Sequence, residues 1–154
     1  MLSVFRIVHV LSALLFFGGL LPVTFLFGMV MRQTDASARL AGLRLLGAAN
    51  RAFLLPGSIL SGLSGFALSG MKPVSIGGTP WLMAAVVLYV IAFVLSMAVL
   101  APHSRRLVQA AAAALKSGSG VEVDALARRP LPRAARAIVG VAGLAIAVLM
   151  TWRP

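Results

Sequence analysis

Four long apolar stretches, separated by segments rich in arginine, constrain how this chain of 154 residues can fold. A helix needs about 20 mostly apolar residues to cross the hydrocarbon core of a bilayer. The composition agrees with such crossings, because 60% of the residues are hydrophobic and only 11% are charged. Soluble domains do not have this balance. The sequence therefore predicts an all-α integral membrane four-helix bundle, with residues 1–154 as a single four-span domain.

The hydropathy pattern predicts spans at about 4–31, 52–70, 81–101 and 137–152. Amphipathic helical extensions are predicted at about 36–51 and 103–116. Thr34 or Asp35 is the expected N-cap of the first extension. Pro102 is expected to close or bend the third span. The first apolar stretch is too long for the core of a cleaved signal peptide and is interpreted as a retained helix.

The basic residues predict the orientation of the chain. Eleven of the 14 lysines and arginines lie in the gaps between spans one and two and between spans three and four, whereas Arg6, Lys72 and Arg153 lie on the opposite side. The positive-inside rule then puts both termini outside. We expect a multi-pass protein of the bacterial inner membrane whose arginines meet anionic lipid head groups. This distribution does not indicate nucleic-acid binding, although the net charge is +11.

Several kinds of chemistry find no support in the sequence. The chain has no cysteine, which excludes disulfides and thiolate metal sites. The three acids are Asp35, Glu122 and Asp124, all outside the spans, so a proton relay has no buried carboxylate. No catalytic triad, phosphate loop or HExxH motif occurs. Enzymatic activity stays undecided, and a protein without catalytic activity of its own is favoured.

His9 is the leading candidate for chemistry, because it is an ionisable group within the first span. One interpretation makes it a ligand of haem or a metal ion. The other makes it a histidine near the head-group level that is hydrogen-bonded to a serine or a carbonyl. His103 is expected to be a solvated histidine at the inner surface, a full membrane thickness from His9.

Three methionines are predicted to lie at the same outer level as His9, namely Met71, Met83 and Met150. Imidazole and thioether groups together could ligate haem iron or Cu(I). Haem b is the favoured cofactor and copper the less favoured one. The alternative is that the methionines fill gaps between helices and that no cofactor is bound.

Small residues at Ser61, Gly65 and Ser69 recur every four positions in the second span. Such a stripe allows close helix packing in lipid. It predicts a contact with another membrane protein or with a second copy of this chain.

Three stretches carry a family resemblance. They are FRIVHVLSALLFFGGLL from Phe5, LLPGSILSGLSGFAL from Leu54, and TPWLMAAVVLYVIAF followed by APHSRRL from Thr79. The chain resembles a bacterial family of predicted four-span integral membrane proteins, domain of unknown function 2269. The resemblance implies the membrane fold but no particular activity.

More distantly, His9 followed by Gly18-Gly19 is similar to the first helix of CopD-like copper-resistance proteins and HemJ-type protoporphyrinogen oxidases. This resemblance implies that His9 is the ligand of haem or copper. The HemJ pattern has an arginine where this chain has Val23 in Leu21-Pro22-Val23. The resemblance therefore implies haem binding rather than oxidase activity.

Two functions follow as hypotheses. The first is an electron-transfer or redox-complex subunit that binds haem b or a metal ion through His9 near the outer face. The second is a non-enzymatic accessory or scaffold subunit of a larger membrane complex.

The predicted orientation can be tested with reporters fused after Pro154. We expect an alkaline phosphatase fusion to be active and a green fluorescent protein fusion to be dark, because the former needs the outer compartment and the latter the cytosol. The reverse result would place both termini inside and contradict the arginine count.

Overall fold

A computed structural model describes residues 2–71 and 77–152 of the chain, with the backbone only at positions 21 and 22. Lys72 and Arg153, two of the basic residues assigned to the outer side, lie outside the described residues. Within them the chain is helical apart from short turns and contains no strand. The elements are α1 (Leu2–Met31), α2 (Ala36–Ala49), a first π turn (Asn50–Leu54), α3 (Leu55–Gly70), α4 (Pro80–Leu95), a second π turn (Ser96–Leu100), α5 (Ala101–Ser117), α6 (Val121–Ala127) and α7 (Pro130–Trp152).

Four helical rods are long and apolar enough to cross a membrane: Leu2–Met31, Ala36–Gly70, Pro80–Ser117 and Pro130–Trp152. The second and third contain 35 and 38 residues, or about 52 and 57 Å at 1.5 Å per residue. Both exceed the ~30 Å hydrocarbon core. The second and third rods are therefore longer than a membrane crossing requires, which agrees with the extensions predicted at about 36–51 and 103–116. The fourth predicted span lies within α7, which begins at Pro130.

The two longest rods each contain a proline just after a π turn. The π turns close with the amide of Leu55 donating to the carbonyl of Asn50, and that of Ala101 to Ser96. Pro56 and Pro102 follow directly, and each proline lacks an amide and crowds the carbonyl four residues earlier. Local π geometry is one way in which a helix in lipid accommodates proline. Pro102 was expected to close or bend the third span, and it does not close the helix, because the helix continues to Ser117 through the predicted extension.

Glycine allows α1 and α3 to pack with their backbones close together. A Cβ atom added at Gly57 would lie 2.8 Å from the amide nitrogen of Phe16 and 3.1 Å from the carbonyl oxygen of Ser12. On α7, a Cβ at Gly143 would lie 2.6 Å from a methyl group of Leu20. Helices in lipid associate by such close packing, since lipid tails are as apolar as the side chains.

The arginine-bearing end of the bundle has a core of its own. Leu107 of α5 and Val123 of α6 are completely buried, and Leu43 of α2 is 2% exposed. The guanidinium of Arg39 lies 3.0 Å from the carboxylate of Asp124, which joins the two arginine-bearing connections at one end. Which side of the membrane this end faces stays a prediction. Helix α6 was not predicted from the sequence.

The N-cap of α2 is one of the two residues that the sequence predicted, Thr34 or Asp35. Asp35 is the N-cap of α2, and its carboxylate accepts hydrogen bonds from the amides of Ser37 and Ala38. These bonds and one from the Ser37 hydroxyl, which is the largest contribution, lower the pKa of Asp35. An acidic N-cap also complements the positive end of the helix dipole.

The expectation of a solvated His103 is wrong, because the residue is only 7% exposed. The buried positions of α5 are His103, Leu107, Ala110, Ala111 and Ala114, which together form one face of the helix. His103 lies one turn before Leu107 on the face that packs inward. Burial lowers the pKa of its imidazole below the ordinary 6.5. Three nearby positive charges act in the same direction, those of Arg136, Arg129 and Arg106.

Gly57→Ala should destabilise the protein by about 1–3 kcal/mol, because the new methyl group meets the backbone of α1. Gly28→Ala is the matched control on a spanning helix, since nothing lies within 4 Å of its Cβ position. Thermal unfolding in detergent should show a lowered Tm for the first variant and an unchanged or slightly raised Tm for the second. Equal effects would contradict the close α1–α3 contact.

The lowered pKa of His103 predicts a pH-dependent stability. Below pH 6.5 the unfolded chain binds a proton at this histidine more readily than the folded chain does, so stability falls as the pH is lowered. His103→Leu removes the titrating group and keeps an apolar side chain next to Leu107. We expect its Tm to decline less than that of the wild type between pH 7 and pH 5. Parallel curves would contradict the assignment.

Candidate functional site

The ring of His9 is held between α1 and α3 by hydrogen bonds from one nitrogen. Its Nδ1 lies 3.0 Å from the carbonyl oxygen of Ser61 and 3.1 Å from the hydroxyl oxygen of Ser64. A carbonyl oxygen can only accept, so Nδ1 carries the hydrogen. In the neutral imidazole, Nε2 then has the free lone pair. The contact fixes both the orientation and the tautomer of the ring.

The serine hydroxyls next to His9 also donate hydrogen bonds to backbone carbonyls. Ser64 is buried, with 4% of its surface exposed. Its hydroxyl donates to the carbonyl of Leu60 at 2.6 Å, so its oxygen can accept a hydrogen bond from His9. On α1, the buried Ser12 donates to the carbonyl of His9 at 3.0 Å. A Cβ at Gly65 would lie 3.2 Å from Cε1 of the ring. Glycine at this position therefore makes room for the imidazole.

The small-residue stripe of the second span is partly used within the chain. Ser61 and Gly65 contact His9 of α1. Ser69, one turn further along α3, donates its hydroxyl hydrogen to the carbonyl of Phe66 at 2.8 Å. Two of the three predicted packing residues thus face α1 of the same molecule. A partner helix cannot occupy that part of α3 without displacing α1.

The three predicted methionines belong to the end of the bundle that contains His9. Met71 caps the C-terminus of α3, Met83 lies in the first turn of α4, and Met150 lies in the last turn of α7. Met71 and Met83 are each 46% exposed. The ring of His9 is oriented by hydrogen bonds that its Nδ1 donates to the Ser61 carbonyl and the Ser64 hydroxyl of α3. The described contacts bring His9 to Ser61, Ser64 and Gly65. Ligation by the methionines stays a prediction.

A second polar region lies in the middle of the bundle. A cavity of about 30 Å³ is lined by residues from all four rods, and its polar lining consists of Asn50, Ser58, Tyr89 and Ser96. The hydroxyl of Tyr89 donates to the carbonyl of Ser58 at 2.8 Å and so links α4 to α3. A cavity of this size can accommodate a single water molecule, but it has no room for a haem.

Sequence reasoning missed several residues of both regions. Ser12 and Ser64 support His9, and Asn50 and Ser96 begin the two π turns that border the cavity. The visible signals were Ser12, three residues after His9, and the two prolines that follow the π turns. The pairing of α1 with α3 that gives these residues their roles is a property of the tertiary structure.

The residues present suit only some metal sites. Among the described residues, no group of three or more histidine, cysteine, aspartate or glutamate side chains could hold a metal ion. A zinc site of the usual kind needs at least three such ligands. Haem iron is different, because a single imidazole can supply its protein ligand. His9, with Nδ1 bonded and Nε2 carrying the lone pair, fits that requirement.

Searches of curated proteins and of solved structures find no match. The distant similarity to copper-resistance proteins and protoporphyrinogen oxidases therefore stays a prediction. The family model described as predicted integral membrane protein matches residues 3–154. This match and the four apolar rods agree on a membrane protein. The chain belongs to the predicted integral membrane proteins that form the family domain of unknown function 2269.

Proposed function

We propose that this protein is a small electron-transfer subunit of a larger membrane redox complex, in which His9 ligates b-type haem near the outer face. The observation that carries the proposal is the hydrogen bond from Nδ1 of His9 to the carbonyl of Ser61. Histidines that ligate metals usually donate their other ring hydrogen to a carbonyl or carboxylate, which fixes the ring and raises its basicity. His9 has this arrangement within the apolar part of a spanning helix.

The protein part of the proposed site has three functions. The Ser61 carbonyl orients the imidazole, the Ser64 hydroxyl accepts a second hydrogen bond from the same nitrogen, and Gly65 leaves space for the ring. A bound haem would supply a one-electron redox centre whose potential depends on its axial ligands and burial. Met71, Met83 and Met150 are candidates for a second ligand because their helix ends lie at the same level. Copper is the less favoured occupant, since Cu(I) would need several of these thioethers.

The proposed setting follows from the charge pattern. The protein would lie in the bacterial cytoplasmic membrane with both termini on the outer side, and its arginines would face anionic head groups. The site would then exchange electrons with a partner at the outer face, and the partner would be another membrane protein or a second copy. The proposal includes no catalytic step by this chain.

The second candidate is a non-enzymatic accessory or scaffold subunit without a cofactor. It is favoured by the same contact, because a hydrogen bond between α1 and α3 accounts for His9 without any ligand. A partner would then approach a face other than the Ser61–Gly65 part of α3. Gly18 and Gly28 of α1 leave open space, with nothing within 4 Å of their Cβ positions. The two candidates differ in what His9 must provide.

Substitution of His9 by asparagine separates these candidates. The amide nitrogen of asparagine takes the place of Nδ1 and preserves the bond to Ser61, whereas no atom replaces Nε2. If His9 ligates haem, the purified wild type should show a Soret band that shifts on reduction, and His9→Asn should lose it with little change in Tm. His9→Ala should lose both the band and stability, by about 0.5–1.5 kcal/mol for the missing hydrogen bond. His103→Leu, which removes the other histidine, should retain the band.

The outcomes that contradict the proposal are clear. A wild type prepared from haem-sufficient cells with neither a Soret band nor bound iron or copper ends the cofactor hypothesis. A Soret band that survives in His9→Asn removes His9 from the site. A colourless protein in which His9→Asn is as stable as the wild type and His9→Ala is not supports the accessory subunit.

A further inference from the structure

The arginine-bearing end contains an open pocket between α5 and the segment that follows it. The pocket has a volume of about 380 Å³, and its polar lining is Arg106, Gln109, Glu122 and Arg129. The floor includes Ala110 of α5 and Leu126 of α6. Two guanidinium groups, an amide and a carboxylate thus face one concave surface.

The two arginines of this pocket form no ion pair among the described residues. Among the described residues, the ion pair at this end joins Arg39 to Asp124 and involves neither arginine of the pocket. Glu122 is the pocket's single carboxylate and also lies outside that pair. The buried ring of His103 experiences positive charge from Arg106 and Arg129 and also from Arg136. The two pocket arginines therefore add to the positive charge at this end of the bundle.

The depth of the pocket corresponds to that of lipid head groups. Arg106 lies five residues beyond Ala101, where the third apolar stretch ends, or about 7 Å along the axis. Arg129 immediately precedes α7, whose apolar part begins about 10 Å further along the helix. The polar layer of a bilayer leaflet is about 5–8 Å thick. Flexible arginine side chains can span the remaining distance.

We propose that this pocket binds the head group of an anionic phospholipid that also carries hydroxyl groups. Arg106 and Arg129 bind the phosphate oxygens, because guanidinium groups match phosphate in charge and geometry. Gln109 and Glu122 accept hydrogen bonds from the hydroxyl groups. The pocket adds a discrete site to the general attraction of basic residues for an anionic surface. It lies at the opposite end of the bundle from His9 and does not depend on the proposed function.

A comparison of two double variants tests this site. The double variant Arg106→Gln with Arg129→Gln removes both pocket arginines. The control, Arg105→Gln with Arg128→Gln, replaces the arginine that directly precedes each of them and so lowers the net charge by the same amount. Native mass spectrometry of the detergent-purified protein with added phosphatidylglycerol measures the bound lipid. We expect the pocket variant to bind it about tenfold or more weakly than the wild type. The control variant should bind within about twofold of the wild type, since it leaves the pocket intact.

Two other probes identify the ligand. Phosphatidylcholine, which lacks hydroxyl groups and net charge, should bind about tenfold or more weakly than phosphatidylglycerol, because it pairs with neither Gln109 nor Glu122. Inorganic phosphate should not displace the lipid at millimolar concentration. Equal binding of both lipids, or displacement by phosphate alone, would overturn the proposal. Equal loss in both double variants would show a diffuse surface effect instead.

A third variant tests the site independently in case the double variant Arg106→Gln with Arg129→Gln does not fold. Ala113→Phe fills the pocket with an aromatic ring at an exposed position and changes no charge. It should lower the binding of phosphatidylglycerol to the same degree as removal of the two arginines, with an unchanged Tm. Undiminished binding in Ala113→Phe would place the lipid elsewhere.

Discussion

The absence of water from the hydrocarbon core is the constraint on which the rest of this structure depends. Every backbone group there must be bonded within the protein, which makes the spans helical. The serines and threonines of the spans obey the same constraint, since Ser58, Ser96 and Thr151 donate to carbonyls three or four residues earlier. Two prolines, Pro56 and Pro102, directly follow π turns. Other polar groups form hydrogen bonds between helices: Nδ1 of His9 bonds to Ser61 and Ser64 of α3, and Tyr89 donates to Ser58 of α3.

The two histidines show how the same residue type acquires different roles from its surroundings. His9 lies in a span, where one nitrogen is committed to a carbonyl and the other has its lone pair. His103 lies beyond a span, buried on the inward face of α5 and near three arginines. Burial and these positive charges both lower the pKa of its imidazole, which favours the neutral form. The first is suited to ligation and the second to packing, although their flanking sequences suggested a functional residue and a solvated one.

The large features of the fold could be predicted because they depend on local pattern. The apolar stretches identify the spans, and Asp35 identifies the start of α2. The burial of His103 could not be inferred in the same way, because it depends on the inward face of α5 and on what packs against it. A serine or a carbonyl was foreseen as a partner of His9, but which residues provide them could not be inferred, since the pairing of α1 with α3 is set by close contacts such as that of Gly57 with Phe16. The π turns were missed although Pro56 and Pro102 marked their positions.

The core at the arginine-bearing end has a consequence for how the bundle is held together. The rods form two hairpins, one from α1 to α3 and the other from α4 to α7. Within lipid the hydrophobic effect does not pull one hairpin toward the other. Beyond the membrane, Leu43, Leu107 and Val123 are shielded from water itself, and there the full driving force of apolar burial operates. The extensions thus add the burial of apolar surface from water to the helix contacts, such as Tyr89 with Ser58 and Gly143 with Leu20, that join the two hairpins within the spans.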